Sequence, residues 1–120
     1  MDKILFVGLG GFVGANLRYW VAVWIGGRTF PMATFAVNII GAFGLAFFAV
    51  WAVERVPLSE EMRLLVTTGF FGALTTFSTF SLEALNLMRD GKWEVALLYL
   101  ASTVALGLVG AAAGMSLARL

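Results

Sequence analysis

Gly72-Ala-Leu-Thr-Thr-Phe-Ser-Thr-Phe-Ser81 interrupts an apolar segment long enough to cross a bilayer. Glycines at Gly69 and Gly72, adjacent threonines at Thr75 and Thr76, and hydroxyls alternating with Phe77 and Phe80 suit a plain lipid-facing helix poorly. They suit a break. A broken helix at bilayer depth is tolerated only where it is buried in protein or lines a polar path. This third segment is therefore expected to carry the function, and the function to concern something small crossing the membrane.

Outward from that stretch, the whole chain has the same character. It has 120 residues, 61% hydrophobic and 12% charged, with mean hydropathy +0.94. Soluble domains carry about 25% charged residues, so this composition cannot cover a water-facing surface. Cysteine is absent, which excludes disulfide and thiol chemistry, and histidine is absent, which removes the commonest metal ligand and proton shuttle. A net charge of +1 gives no electrostatic case for nucleic acid. The N-terminal apolar run shows no cleavage site after a short hydrophobic region, so it reads as a retained helix and not a signal peptide.

A spanning helix needs about 20 mostly apolar residues. Four segments qualify, at about 4–25, 32–53, 64–88 and 95–118, and they form one membrane domain over residues 1–120. The separators are short and polar, and both prolines, Pro31 and Pro57, fall in them. Ser59-Glu60-Glu61 reads as a helix N-cap followed by acids in the first turn. Orientation is set by Lys and Arg near the helix ends. One side carries Lys3, Arg55, Arg63 and Arg119, the other Arg28, Arg89 and Lys92. So small a bias leaves two readings: insertion in both orientations, with two copies pairing about an axis in the membrane plane, or one orientation set by lipid or another subunit.

Gly8-Leu-Gly10-Gly-Phe-Val-Gly14 resembles a dinucleotide loop only superficially: the spacing is wrong and no strand precedes it. Gly10 with Gly14, and Gly110 with Gly114, form small-residue faces for close helix packing, within or between subunits.

Polar groups inside a membrane are expensive, so each needs a reason. Asn38 offers either an interhelical hydrogen bond or a donor for an anion. Arg18 must snorkel, pair, or line a watery vestibule. Glu83 can pair with Arg18 or a hydroxyl, or couple to a cation or proton. Phe77 and Phe80, three residues apart, share a helix face. They either pack or present electropositive ring edges to an anion path. Thr76, Ser78, Thr79 and Ser81 would add donors, as would Tyr99, Ser102 and Thr103. Carbonyls freed between Gly72 and Thr75, with no carboxylate nearby, suit Na⁺ better than Mg²⁺ or Ca²⁺.

Three motifs then carry a family resemblance. Gly72-Ala-Leu-Thr-Thr-Phe-Ser-Thr-Phe80, Gly10-Gly-Phe-Val-Gly-Ala-Asn-Leu-Arg-Tyr19 and Thr34-Phe-Ala-Val-Asn-Ile-Ile-Gly-Ala-Phe43 resemble the signatures of the Fluc (CrcB) fluoride channels. The resemblance covers all four segments. It implies an all-α integral membrane protein forming an antiparallel, dual-topology homodimer, with the third helix broken near the midplane and two fluoride pores. It implies a central structural Na⁺ held by the backbone carbonyls of Gly72 and Thr75 from each subunit. The pore phenylalanines map to Phe77 and Phe80, the pore asparagine to Asn38 and the vestibule arginine to Arg18. The hydroxyl track maps to Ser78 and Thr79, continued on the fourth helix by Tyr99 and Thr103. Gly107, one turn on, has no side chain to contribute. The implied activity is not enzymatic: it is passive, selective fluoride export through the plasma (inner) membrane of a prokaryote, which relieves fluoride toxicity.

Two rivals share the composition. A small multidrug-resistance-type exporter needs a membrane-embedded acid in its first helix, where this chain has Arg18 and no acid beyond Asp2. A non-transporting assembly subunit predicts purified protein that conducts nothing.

Overall fold

The computed structural model describes residues 2–120 and is helical throughout. Helix α1 spans Asp2–Ile25 and α2 spans Met32–Glu54. The third span begins as α3 (Glu60–Leu64), widens into a π-helical stretch over Leu65–Phe71 and ends its first half as α4 (Gly72–Leu74). Its second half is α5 (Phe77–Arg89), and α6 (Trp93–Ala118) completes the bundle. Among the described residues, four helical units are long and apolar enough to cross a membrane: Asp2–Ile25, Met32–Glu54, Glu60–Arg89 and Trp93–Ala118. These match the expected spans, the third starting four residues earlier. The Ser59 side chain accepts a hydrogen bond from the Met62 amide at 3.2 Å and so fixes that start.

The third span breaks near its middle, at the threonine end of the expected Gly72–Thr75 stretch. Gly72 is helical (φ −61°, ψ −35°), whereas Thr75 (φ −90°, ψ 154°) and Thr76 (φ −151°, ψ 121°) are extended. Backbone leaving a helix inside a bundle needs substitute hydrogen-bond partners. At Thr76 both the amide and the carbonyl find them. The Thr76 hydroxyl also caps α5 by accepting from the Thr79 amide at 3.2 Å.

Gly69 and Gly72 therefore do different work from breaking the helix. A side chain on Gly69 would press on the Val7 carbonyl and the Gly10 backbone of α1. The contact is reciprocal: side chains on Gly10 and Gly14 would run into the Leu65 and Phe70 carbonyls. The α1 glycine face is thus filled by backbone of the π-helical stretch. Thr67, within this irregular stretch, and Thr75, beyond it, donate their hydroxyls to the Arg63 and Phe71 carbonyls, at 2.7 and 2.9 Å. On α6, Gly110 and Gly114 receive α2 in the same way, against Ile39, Phe43 and Phe47. Both small-residue faces are used within the chain.

The bundle is held at one end by charge. Lys3 pairs with Glu60 at 3.1 Å, Arg119 pairs with Glu54 at 3.4 Å, and Arg55 donates to the Arg119 carbonyl at 2.7 Å. Exposed pairs contribute little stability, about 0–1 kcal/mol; they mark which segments meet. The start of α1, the turn between α2 and α3, and the end of α6 share one end. Inside, Phe80, Ala84, Leu87, Ala96 and Tyr99 form the core, flanked by Phe30 and Phe35. Outside, Ile4, Phe12, Trp20, Trp24, Leu108 and Val109 are exposed, as lipid-facing surface must be.

Candidate functional site

Asn38 organises the centre of the molecule. Its Oδ1 accepts from the Thr76 amide at 2.8 Å and its Nδ2 donates to the Thr76 carbonyl at 3.1 Å. A side-chain amide here replaces the peptide partner that Thr76 loses on leaving the helix. Of the two readings open for Asn38, the geometry supplies the interhelical bond, and one Nδ2 hydrogen remains beyond it.

Arg18 reaches the same break from α1, donating from Nε to the Ala73 carbonyl at 3.0 Å. The carbonyls of Gly72, Leu74 and Thr75, by contrast, accept no hydrogen bond across the break among the described residues. Gly72 is exposed and Thr75 half-buried. The donor set left free is backbone oxygen without a carboxylate, and it lies at the surface of the chain. Oxygen donors of that kind suit a monovalent cation better than a divalent one.

Hydroxyls gather immediately below. Thr76 Oγ1 lies 3.3 Å from Ser78 Oγ and donates to Thr79 Oγ1 at 3.2 Å. Phe77 and Phe80 touch, with ring centroids 6.0 Å apart and planes tilted 54°. Their surroundings nevertheless differ. Phe77 is 79% exposed while Phe80 is 6% exposed and packs edge-on against Tyr99 at 5.0 Å. The shared face expected from their spacing holds for ring contact and fails for environment, because Phe77 opens α5 at the break. Tyr99 is fully buried, leans edge-on against Phe30 at 5.3 Å, and donates its hydroxyl to Glu83 at 2.9 Å. Glu83 therefore pairs with a hydroxyl and not with Arg18.

Two hollows lie beside this cluster. The first, of about 410 Å³, runs from the α1–α2 loop down to Thr34, Val37 and Thr79, with Arg18 and Glu83 on its walls. The second, of about 370 Å³, continues along α2 past Asn38 and Gly41 and is lined by Thr75, Thr76, Phe77, Phe80 and Thr103. Neighbouring residues on α2 (Val37 and Asn38) and on α5 (Thr79 and Phe80) divide one hollow from the other. Thr103 lines the second hollow, and its hydroxyl oxygen is buried with no hydrogen-bond partner among the described residues.

The structure thus gathers Asn38, Thr75, Phe77, Phe80 and Thr103 around one hollow, and Arg18 and Thr79 around the other. Tyr99 stands behind both, and Ser78 and Gly72 face outward. Sequence reading missed Gly41, against which a Cβ would strike the Thr75 side chain, and the rim residues Arg28, Asn86 and Asp90. Neither had a visible signal. Gly41 looks like any small residue in a helix, and the rim charges look like ordinary loop solvation.

Residues 5–115 match the family model described as "CrcB-like protein, Camphor Resistance (CrcB)". Among curated relatives, the chain is similar to a protein of Chlorobaculum tepidum, 48% identical over 122 residues, covering 100% of this chain and 97% of the relative. It is 44% identical to one of Oceanobacillus iheyensis, covering 98% and 92% respectively, and 41% identical to one of a Roseiflexus species, covering 98% and 97%. Each of these relatives is named as a fluoride-specific ion channel.

Proposed function

The chain belongs to the CrcB family, and from that membership we propose that it is a fluoride channel, a multi-pass prokaryotic membrane protein and not an enzyme. The single observation that carries the reading is full-length similarity to relatives named for fluoride conduction. The finer reading is passive, fluoride-selective export. Fluoride enters from acidic surroundings as the neutral acid, ionises in the cytoplasm, and leaves as the anion down its gradient.

Two hollows, one lined by Thr79 and the other by Thr76, Phe77 and Phe80, support a path for a small anion. Arg18 and the hydroxyls of Thr79 and Ser78 would receive the ion on one side. Phe77 and Phe80 would offer ring edges, which hold an anion weakly enough to let it go. Asn38, with one free N–H, and the unpartnered hydroxyl of Thr103 would donate beyond them; Tyr99 would hold the Phe80 ring in place. In the proposed antiparallel homodimer each subunit contributes to two pores. The carbonyls of Gly72 and Thr75 from both subunits would hold a structural Na⁺ on the dimer axis, where the ion supplies positive charge and joins the copies.

The test is halide efflux from liposomes containing the purified protein, followed with fluoride- and chloride-selective electrodes. Fast fluoride release without chloride release is expected. Release of neither ion from a folded protein would overturn the reading.

A further inference from the structure

The outer hollow is lined by two positive and two negative side chains, Arg18 and Arg28 against Glu83 and Asp90. They differ in what holds them. Arg18 is committed to the Ala73 carbonyl and Glu83 accepts from Tyr99. Arg28 and Asp90, both exposed at the rim, make no hydrogen bond or ion pair through their side chains among the described residues. Gly26, at φ +76°, turns the chain at the end of α1 so that Arg28 stands on the rim, and Asp90 closes α5 across from it. Arg28 and Asp90 are therefore the two exposed lining charges whose side chains are unengaged among the described residues.

We infer that Arg28 and Asp90 form an entrance filter that sets how often an anion is captured from solution, Arg28 drawing anions in and Asp90 opposing it. The inference rests on the channel reading of the same site. With both present, the lining charges cancel. Removing Arg28 leaves the hollow net negative and removing Asp90 leaves it net positive, so the two changes act in opposite directions on one ion. Charges in a confined hollow with apolar walls alter the local ion concentration, and salt screens that effect. Screening reaches about 30 Å at 0.01 M and about 3 Å at 1 M ionic strength. A rim effect must therefore fade with salt, whereas a packing effect does not.

The experiment compares single-channel fluoride conductance of wild type, Arg28→Gln, Arg28→Lys and Asp90→Asn in planar bilayers, at about 0.01 M and 1 M ionic strength. At low salt, Arg28→Gln is expected to reduce conductance about two- to threefold, the size of one unit charge acting across several ångströms of water. Asp90→Asn is expected to raise it similarly, and Arg28→Lys to match wild type. At high salt all four should converge. A conducting wild type whose variants equal it at low salt, or whose differences persist at high salt, overturns this inference alone. A silent wild type removes the channel reading, and this inference with it.

Discussion

Asn38 shows how one side chain decides between readings that residue type leaves open. An amide both donates and accepts, which is what a peptide deprived of its helical partners needs, and Thr76 is that peptide. Asn38→Asp replaces the donor with a second acceptor facing the Thr76 carbonyl and adds a negative charge beside the inner hollow. Fluoride efflux is expected to fall to background at neutral pH; normal efflux would reduce Asn38 to packing. The phenylalanines separate in a similar way. Phe77→Ile changes an exposed ring and should leave folding untouched, while Phe80→Ile removes an edge-on contact with Tyr99 worth about 0.5–1.5 kcal/mol. Both are expected to abolish efflux, and size-exclusion profiles matching wild type would show that the loss is not misfolding. Unchanged efflux in either folded variant would end the aromatic-path reading. What the residues are was legible in the sequence. Their division between buried and exposed was not, because it depends on where the helix breaks.

At the scale of elements, the spans were legible because apolar length and polar separators are written directly in the chain. The break was legible in the Gly72–Thr75 stretch, at whose end Thr75 and Thr76 are extended, but what holds it open was not. Glycine weakens a helix on its own account, but an opened backbone needs a partner from elsewhere, and Asn38 lies far away in sequence. The π-helical stretch had no signal at all. It packs closely on α1, whose glycines admit the carbonyls of Leu65 and Phe70. Gly14→Ala puts a methyl group against backbone that cannot retreat, and is expected to destabilise the protein by about 1–3 kcal/mol. Gly8→Ala, with nothing within 4 Å, is the matched control. Thermal unfolding in detergent checks the pair; equal midpoints would mean that α1 can shift away from the π-helical stretch at little cost.

For the whole molecule, the proposed ion site at the carbonyls of Gly72 and Thr75 ties activity to assembly, since Gly72 is exposed on the single chain and the proposed dimer would supply the same carbonyls twice. Strict removal of Na⁺ is expected to impair efflux or dissociate the proposed dimer, followed by light scattering beside the liposome assay. Full activity and intact assembly without Na⁺ would count against the carbonyl site. The charge pairs that gather the start of α1, the α2–α3 turn and the end of α6 carry one more implication, for genetics. A chain that crosses four times returns to the compartment it left. Two such units duplicated in tandem and joined by a short tether are therefore locked into the same orientation. A single-gene descendant of the proposed antiparallel pair would need a linker with an odd number of crossings, and duplication alone could not produce one.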